Sequence, residues 1–449
     1  MTASSAYRPS RNVTLMRSSP MASLAPWQGA VLFAFLASLV TLPLGYGIWA
    51  VAALVLALFA MLPTVRRLPL DREDAAWLVM LALVGLNQVL DAWRSGAPIG
   101  HQTTPSLPWW PFAAGVILIA WRARPMRAKW LWGGVILGAL GAGTIAFDER
   151  WINGFNRADN DINAIPFGNL SLLLGVLALV NALRLCHKYA EPPRWYVVFS
   201  LLATGSGLLA SLLSGTRGGW ITLPVALALI GWMYRSLLQR GWQTLAAWQR
   251  WSLILLSVLV IGWALSFAYP RLWELYNNLE RFFNEGVVKT SIGARIDMWQ
   301  NAIRLFLEKP LFGWGEGAMR PVLDRLIDSG LMDANVQDQF LGYQLHNEWL
   351  DTAARRGLVG VVLLAAFYAV PLVLFARHLR DATPQRKALA LAGVLVVLMF
   401  LGFGLSQSMF RDVRTYSGYL ALIVACWSLL KRPYPESRFT KRPMLEGDQ

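Results

Sequence analysis

Apolar runs of bilayer length recur along this chain, separated by short polar connections, and they predict a bundle of membrane-embedded α-helices. Twelve spans are read, at about 28–44, 46–62, 75–91, 108–121, 130–147, 168–184, 195–213, 217–235, 251–269, 358–376, 387–405 and 411–430. The fourth has only 14 clearly apolar positions, against the roughly 20 residues that cross a bilayer, so it is read as tilted, extended or re-entrant. The pattern breaks on a larger scale at residues 270–357, a connection far longer than a turn requires and therefore a candidate functional segment. The expected organisation is a tail over 1–26, nine spans over 27–269, the long loop over 270–357, three spans over 358–430 and a tail over 431–449.

Within the long loop, Pro270 to Asn284 carries apolar residues at helical spacing with Trp and Phe on one face, which suits a helix lying on a membrane surface, either as a plain anchor or as the border of a lipid portal. A second helix is predicted from about Ser291 to Leu307, stopping before Pro310. The turn Gly313 to Gly317 follows, and whether Gly357 interrupts the helix entering the tenth span is left open.

Composition agrees with a polytopic protein: 56% of the 449 residues are hydrophobic and only 15% are charged. The basic residues gather on alternate connections, among them Arg66, Arg67 and Arg72, then Arg122, Arg124, Arg127 and Lys129, then Arg377, Arg380, Arg386 and Lys387. This bias orients both termini toward the cytoplasm and the long loop outward. The net charge of +15 is thereby explained by anionic membrane lipid, and no aromatic-basic module suggests nucleic acid. Residues 1–26, with Arg8, Arg11 and Arg17, read as the flank of an uncleaved signal-anchor. Cys186 and Cys426 fall near cytoplasmic span ends, where a disulfide is not expected, and no zinc spacing exists.

The outer side holds the candidate chemistry. Histidine titrates near neutrality and can take a proton from a hydroxyl, so His346, where the long loop turns back to the bilayer, is the leading base candidate; a hydrogen-bonding interface residue is the alternative. On a helix beginning there, Glu348 and Asp351 would point away from the His face, so an orienting carboxylate is expected from elsewhere. Among the other histidines, His101 is placed in an outer loop and His187 and His378 in the cytoplasm, so no His-based metal cluster is expected. Arg217, in the tight turn Ser214 to Gly219 (SGTRGG), suits a phosphate held jointly by backbone and guanidinium, or a charge that fixes a hairpin. Arg295 by itself reads as an exposed helix charge paired with Asp297 or Glu308. Arg411 and Arg414, with Asp412, either join an acidic-substrate surface or anchor the membrane boundary. Asp159-Asn-Asp161 has the spacing of a cation-binding carboxylate pair, but the same residues commonly build turns and caps.

Four motifs occur in order over about 150 residues: Ser214 to Gly219, Arg295 to Trp299 (RIDMW), Pro310 to Gly315 (PLFGWG), and His346 to Asp351 (HNEWLD) followed by Gly357. With twelve spans and one long outer loop, this set resembles the O-antigen ligase and O-antigen polymerase superfamily; the first half resembles it mainly in span pattern, including Phe167 to Asn169 (FGN). The resemblance implies an all-α membrane glycosyltransferase of the C type (GT-C) in the bacterial inner membrane. It further implies transfer of a glycan from undecaprenyl diphosphate to a sugar hydroxyl of lipid A-core at the periplasmic face, without metal or other cofactor and with inversion. On this footing His346 is the general base and Arg217 and Arg295 clamp the diphosphate, with Ser214, Asn347 and Arg411 as supporting candidates. An O-antigen polymerase or a protein O-oligosaccharyltransferase would use the same donor. A flippase or transporter fits less well, because the spans hold almost no ionisable residues.

Overall fold

The computed structural model describes residues 24–61, 70–97, 107–186, 194–286, 288–334, 336, 344–381 and 383–432. The expectations for His101, His187, most of both tails and the inner residues Arg66 and Arg67 lie outside these. Among the described residues every regular element is helical. In chain order these are α1 (Leu24–Ser38), α2 (Gly45–Met61), α3 (Arg72–Arg94), α4 (Trp110–Ala123), α5 (Lys129–Phe147), α6 (Ala164–Leu185), α7 (Arg194–Leu213), α8 (Leu223–Met233), α9 (Arg235–Thr244) and α10 (Ala247–Glu285). They are followed by α11 (Ser291–Glu308), α12 (Met319–Asp328), α13 (Glu348–Arg377), α14 (Pro384–Phe403) and α15 (Val413–Leu430).

Each predicted span coincides with a helix, and seven are long and apolar enough to cross a membrane: α3, α5 with the turn after it, α6, α7, α13, α14 and α15. An eighth is added if the pair Gly218–Met233 and Arg235–Thr244, bent by 75°, is one broken span. The chain is therefore a multi-pass membrane protein. At its centre α6 packs against α5, α7 and α14, with Phe167, Leu173, Leu177 and Val180 buried, while α14 and α15 bury their apolar residues just as fully. The closest crossing falls at Gly175 and Gly207, where a Cβ on Gly207 would meet the Ser171 carbonyl at 2.5 Å and Gly175 Cα at 2.7 Å, so α6 and α7 meet backbone to backbone as membrane helices do. At the periphery the polarity runs the other way. Leu253, Leu255, Val258 and Leu259 of α10 are exposed, a surface that only lipid covers without cost.

Two helices cross the boundaries expected from sequence. The ninth span and the surface helix are one rod, because α10 runs through Pro270 to Glu285. At 1.5 Å per residue its 39 residues reach about 58 Å, nearly twice the ~30 Å hydrocarbon core, so much of it stands outside the bilayer. Helix α13 starts at Glu348, well before the tenth span, and breaks at Gly357 with φ 59° and ψ −155°. Residues 310–315 dock into that break: Leu358 and Val359 donate N–H groups to the carbonyls of Pro310 (2.7 Å) and Leu311 (3.2 Å), while Trp314 and Gly315 donate to Ala354 (2.9 Å) and Arg355 (2.8 Å). The backbone groups freed by the kink are thus satisfied, as burial requires.

The long loop is a folded layer. Ala294, Met298, Ala302 and Leu305 of α11 meet Val322, Leu323 and Leu326 of α12, together with Met332, Leu345 and Ala354, in a second apolar core separate from that of the spans. This layer gives the loop residues fixed positions above the bundle.

Candidate functional site

The turn after α7 is stitched from below. Gly215 takes φ 65°, the Ser214 hydroxyl donates to the Ser211 carbonyl (2.7 Å) and accepts from the Thr216 N–H (3.2 Å), and Thr216 Oγ1 donates to the Ala164 carbonyl at the start of α6 (2.7 Å). From the loop before α6, Arg157 Nε donates to the Ser214 carbonyl (2.7 Å). The same turn thereby holds two guanidinium groups, Arg217 from its own chain and Arg157 from across it. Arg295 arrives from α11, whose first turn is capped by Thr290 Oγ1 accepting from the Gly293 N–H (3.0 Å).

All three arginines line one cavity of about 460 Å³, with Thr216, Glu274, Trp299 and Ser406 among the other walls. Among the described residues that line it, three cations face one carboxylate, an excess of two positive charges. Burial, and then the charges of Arg217 and Arg157, push the Arg295 guanidinium below its ordinary value, though a guanidinium stays charged at any physiological pH. The lining carboxylate, Glu274 of α10, meets Arg217 Nη2 at 2.7 Å. Both side chains are partly exposed, 33% and 48%, so the pair is worth no more than about 1 kcal/mol and is readily exchanged for a better anion. Neither partner expected for Arg295 takes that role: Asp297 accepts from the Asp333 N–H (3.1 Å) and Glu308 pairs with Arg325 (3.4 Å).

His346 is not among the described residues that line this cavity, but its neighbour Leu345 is tied to one of the cavity's walls. Trp299, one turn beyond Arg295 on α11, donates its indole N–H to the Leu345 carbonyl (3.1 Å), and Asp351 accepts the Leu345 N–H (3.1 Å). His346 itself takes φ 50°, so it sits in a tight turn ahead of α13 and not on a helix. Its Nδ1 lies 2.5 Å from Gln407 Oε1, in the connection between α14 and α15 whose Ser406 lines the cavity. The group at Nδ1 is thus an amide, and it comes from outside the His346 turn and α13.

The supporting candidates have structural duties. Ser214 is fully buried inside its turn. Asn347 caps α13, accepting from the N–H groups of Trp349 (3.0 Å) and Leu350 (3.1 Å), and donates to the Leu405 carbonyl (3.2 Å). Arg411 is buried and paired. It forms a two-pronged pair with Glu316 (2.7 and 2.8 Å) inside a lattice that includes Arg355 with Asp351 (3.0 Å) and with Glu316 (3.3 Å), and Arg356 with Asp91 (3.4 Å). Burial alone would raise the Glu316 carboxyl, but Arg355, Arg411 and Arg356 outweigh it and hold that group well below the ordinary carboxylate range. The lattice clamps the 313–317 turn onto α13.

Asp159 to Asp161 builds a turn. Asp159 accepts the Asp161 N–H (3.0 Å), and the N–H groups of Asp159 and Asn160 donate to Glu149 (2.8 and 2.9 Å). Among the described residues no group of three or more His, Cys, Asp or Glu is arranged to hold a metal ion. Cys186 and Cys426 are both free. Sequence reasoning passed over Arg157, Glu274 and Gln407. The available signals were an arginine two residues before the Asp-Asn-Asp turn, and the polar trio Ser406-Gln407-Ser408 between two apolar runs.

Comparison with known proteins bears on the same stretch. Over 402 residues the chain is 23% identical to an uncharacterized protein of Haemophilus influenzae, covering 87% of this chain and 96% of that one. Residues 198–365, which contain Arg217, Glu274, Arg295 and His346, match the family model described as O-Antigen ligase. The histidine turn and two of the three arginines of the cavity lie inside that matched region, which is thus similar to O-antigen ligases.

Proposed function

We propose that this protein is an O-antigen ligase, moving a glycan from undecaprenyl diphosphate onto a sugar hydroxyl of lipid A-core. Members of this superfamily are glycosyltransferase-like membrane enzymes that act on lipid-linked glycans. The observation that carries the reading is the convergence of Arg157, Arg217 and Arg295 on one cavity with an excess of positive charge among its described lining residues, whose wall residue Trp299 is bonded to Leu345, the neighbour of His346.

The reaction breaks the bond between the anomeric carbon and the diphosphate oxygen while the acceptor oxygen forms a new bond to that carbon. Negative charge grows on the departing undecaprenyl diphosphate, and guanidinium groups already fixed around it lower the barrier. The acceptor hydroxyl's proton passes to His346. Attack opposite the leaving group inverts the anomeric centre, and among the described residues no paired carboxylates line the cavity to support a two-step route. In this reading the twelve spans read from the sequence cross the inner membrane in a GT-C arrangement, the tails 1–26 and 431–449 are cytoplasmic, and 270–357 faces the periplasm. The donor's lipid enters sideways past α10, where Leu253, Leu255, Val258 and Leu259 are exposed.

The test is transfer from undecaprenyl-diphosphate glycan to purified lipid A-core in excess EDTA, for wild type, His346→Ala, Arg217→Ala and Arg295→Ala. Wild type is expected to transfer. His346→Ala should abolish transfer, and each arginine variant should lose about 10²- to 10³-fold, the usual cost of one preorganised charge-stabilising donor. Elongation of the lipid-linked glycan with no transfer to lipid A-core would make the chain a polymerase. Glycosylation of a secreted protein would make it a protein O-oligosaccharyltransferase.

A further inference from the structure

The donor named above carries three chemistries in a fixed order: an apolar isoprenoid chain, a diphosphate, and the first sugar of the glycan. The wall that α11 gives the cavity carries three chemistries in a matching order. Ile292, Arg295 and Trp299 all line it, at steps of three and four residues that keep them on one face of the helix. An apolar side chain, a cation and an aromatic ring therefore follow one another over about 10 Å, at 1.5 Å per residue. Ile296 adds apolar surface beside the guanidinium. The aromatic end of the row leads toward the base, because the Trp299 indole N–H donates to the carbonyl of Leu345 (3.1 Å), the residue before His346. The ring is half-buried and packs against the apolar core of the loop layer. Among the described residues that line the cavity it is the only aromatic one.

We propose that Trp299 is the sugar platform of this cavity, its ring taking the apolar face of the sugar bonded to the diphosphate. The inference rests on the reading of this chain as a transferase that uses a diphosphate-linked glycan. A sugar ring is polar at its rim and apolar on the face where its C–H groups point, and the electron-rich face of an aromatic ring attracts those C–H groups while excluding water. An indole N–H is a single donor, and this one is committed to Leu345, so what Trp299 offers a ligand is ring surface and not a hydrogen bond. A sugar stacked there lies about one helical turn from Arg295, which holds the diphosphate in this reading, and is fixed relative to the chain that carries His346. A stacked ring cannot tumble, so the platform holds the anomeric carbon in one orientation for attack from the side away from the diphosphate.

Two ligands separate the platform from the rest of the cavity: undecaprenyl diphosphate bearing the glycan, and the same lipid diphosphate with no sugar. The full chain in nanodiscs is expected to bind both. Trp299→Leu should weaken the glycan-bearing ligand by about 5- to 50-fold and leave the bare lipid diphosphate within about twofold. Trp299→Phe keeps an aromatic face but loses the N–H that holds Leu345, so it should bind the glycan-bearing ligand within about fivefold of wild type. The donor's KM should follow the same order. A residue that served only to tie down Leu345 would give the Leu and Phe variants equal losses, in kcat and not in KM, and one that only packed against the loop core would weaken both ligands alike; either result overturns the proposal. Should Trp299→Leu fold poorly, wild type labelled with fluorotryptophan decides the matter. The Trp299 fluorine resonance, assigned by its loss in Trp299→Phe, should move on saturation with the glycan-bearing ligand and move far less with the bare lipid diphosphate, and equal movement overturns the proposal too. A wild-type chain that binds neither ligand and transfers no glycan would instead overturn the functional reading, so the two failures are distinguishable.

Discussion

Replacing Asp351 by Asn tests whether the charge lattice holds the His346 turn in place. Asp351 and Arg355 are 2% and 1% exposed and meet at 3.0 Å, and Arg411 Nε lies 3.8 Å from the same carboxylate oxygen. The substitution preserves shape and leaves an acceptor for the Leu345 N–H, so what is lost is charge. Breaking a buried pair by removing one partner costs about 3–5 kcal/mol, because the surviving ion stays desolvated. Here Glu316, 3.3 Å from Arg355 Nη1, still compensates part of that charge, which puts the expected loss nearer about 2–3 kcal/mol. Changing both partners, Asp351→Asn with Arg355→Met, removes the stranded charge and should recover at least about 1 kcal/mol relative to the sum of the single effects. The assay is reversible denaturant unfolding in detergent, followed by the fluorescence of the 22 tryptophans. If Asp351→Asn unfolds within about 0.5 kcal/mol of wild type, or if the double variant is simply additive, the lattice is not the clamp argued above.

Three further outcomes are expected. Glu274→Gln removes the carboxylate that occupies Arg217, so the donor's KM should fall by up to about fivefold, the equivalent of a partly exposed pair worth at most about 1 kcal/mol; an increase in KM would mean that Glu274 helps bind substrate. Glu316 has a depressed folded-state pKa, so its stabilisation is complete above the ordinary carboxylate value near 4.5 and is lost as pH falls from there toward the folded value. The difference in unfolding free energy between wild type and Glu316→Gln should therefore be flat from pH 9 to about pH 5 and shrink below it, and a difference that grows with acid would contradict the ion-pair assignment. Gly357→Ala should destabilise the fold by at least about 1–3 kcal/mol in the same unfolding assay, since φ 59° with ψ −155° is a region essentially reserved for glycine and the new Cβ would lie 2.4 Å from Leu311 C; wild-type stability would mean that the kink is not needed.

The sequence by itself determined the membrane class, the positions of the helices and the types of residue able to do the chemistry. Span positions are legible because the bilayer sets a minimum apolar length, and that length is a property of neighbouring residues alone. His346 and Arg217 stood out as candidates because titration near neutrality and a permanent planar cation are properties of single side chains, whereas Arg295 by itself read as an exposed helix charge and became a candidate only through the family resemblance. Tertiary structure decided which of these groups meet. Arg157, Arg217 and Arg295 come from three elements and share a cavity only because α6, α7 and the loop layer pack as they do. Arg411 and Glu316 are 95 positions apart, so no local spacing announced their pairing, and a cation that looked available for substrate is spent on architecture. Gln407, 61 positions from His346, became visible only when the connection between α14 and α15 lay against the histidine turn. The physical reason is one of range: hydrophobic length and side-chain chemistry act where the residue stands, whereas charge compensation and hydrogen bonding depend on whatever atom the fold brings to within about 3 Å.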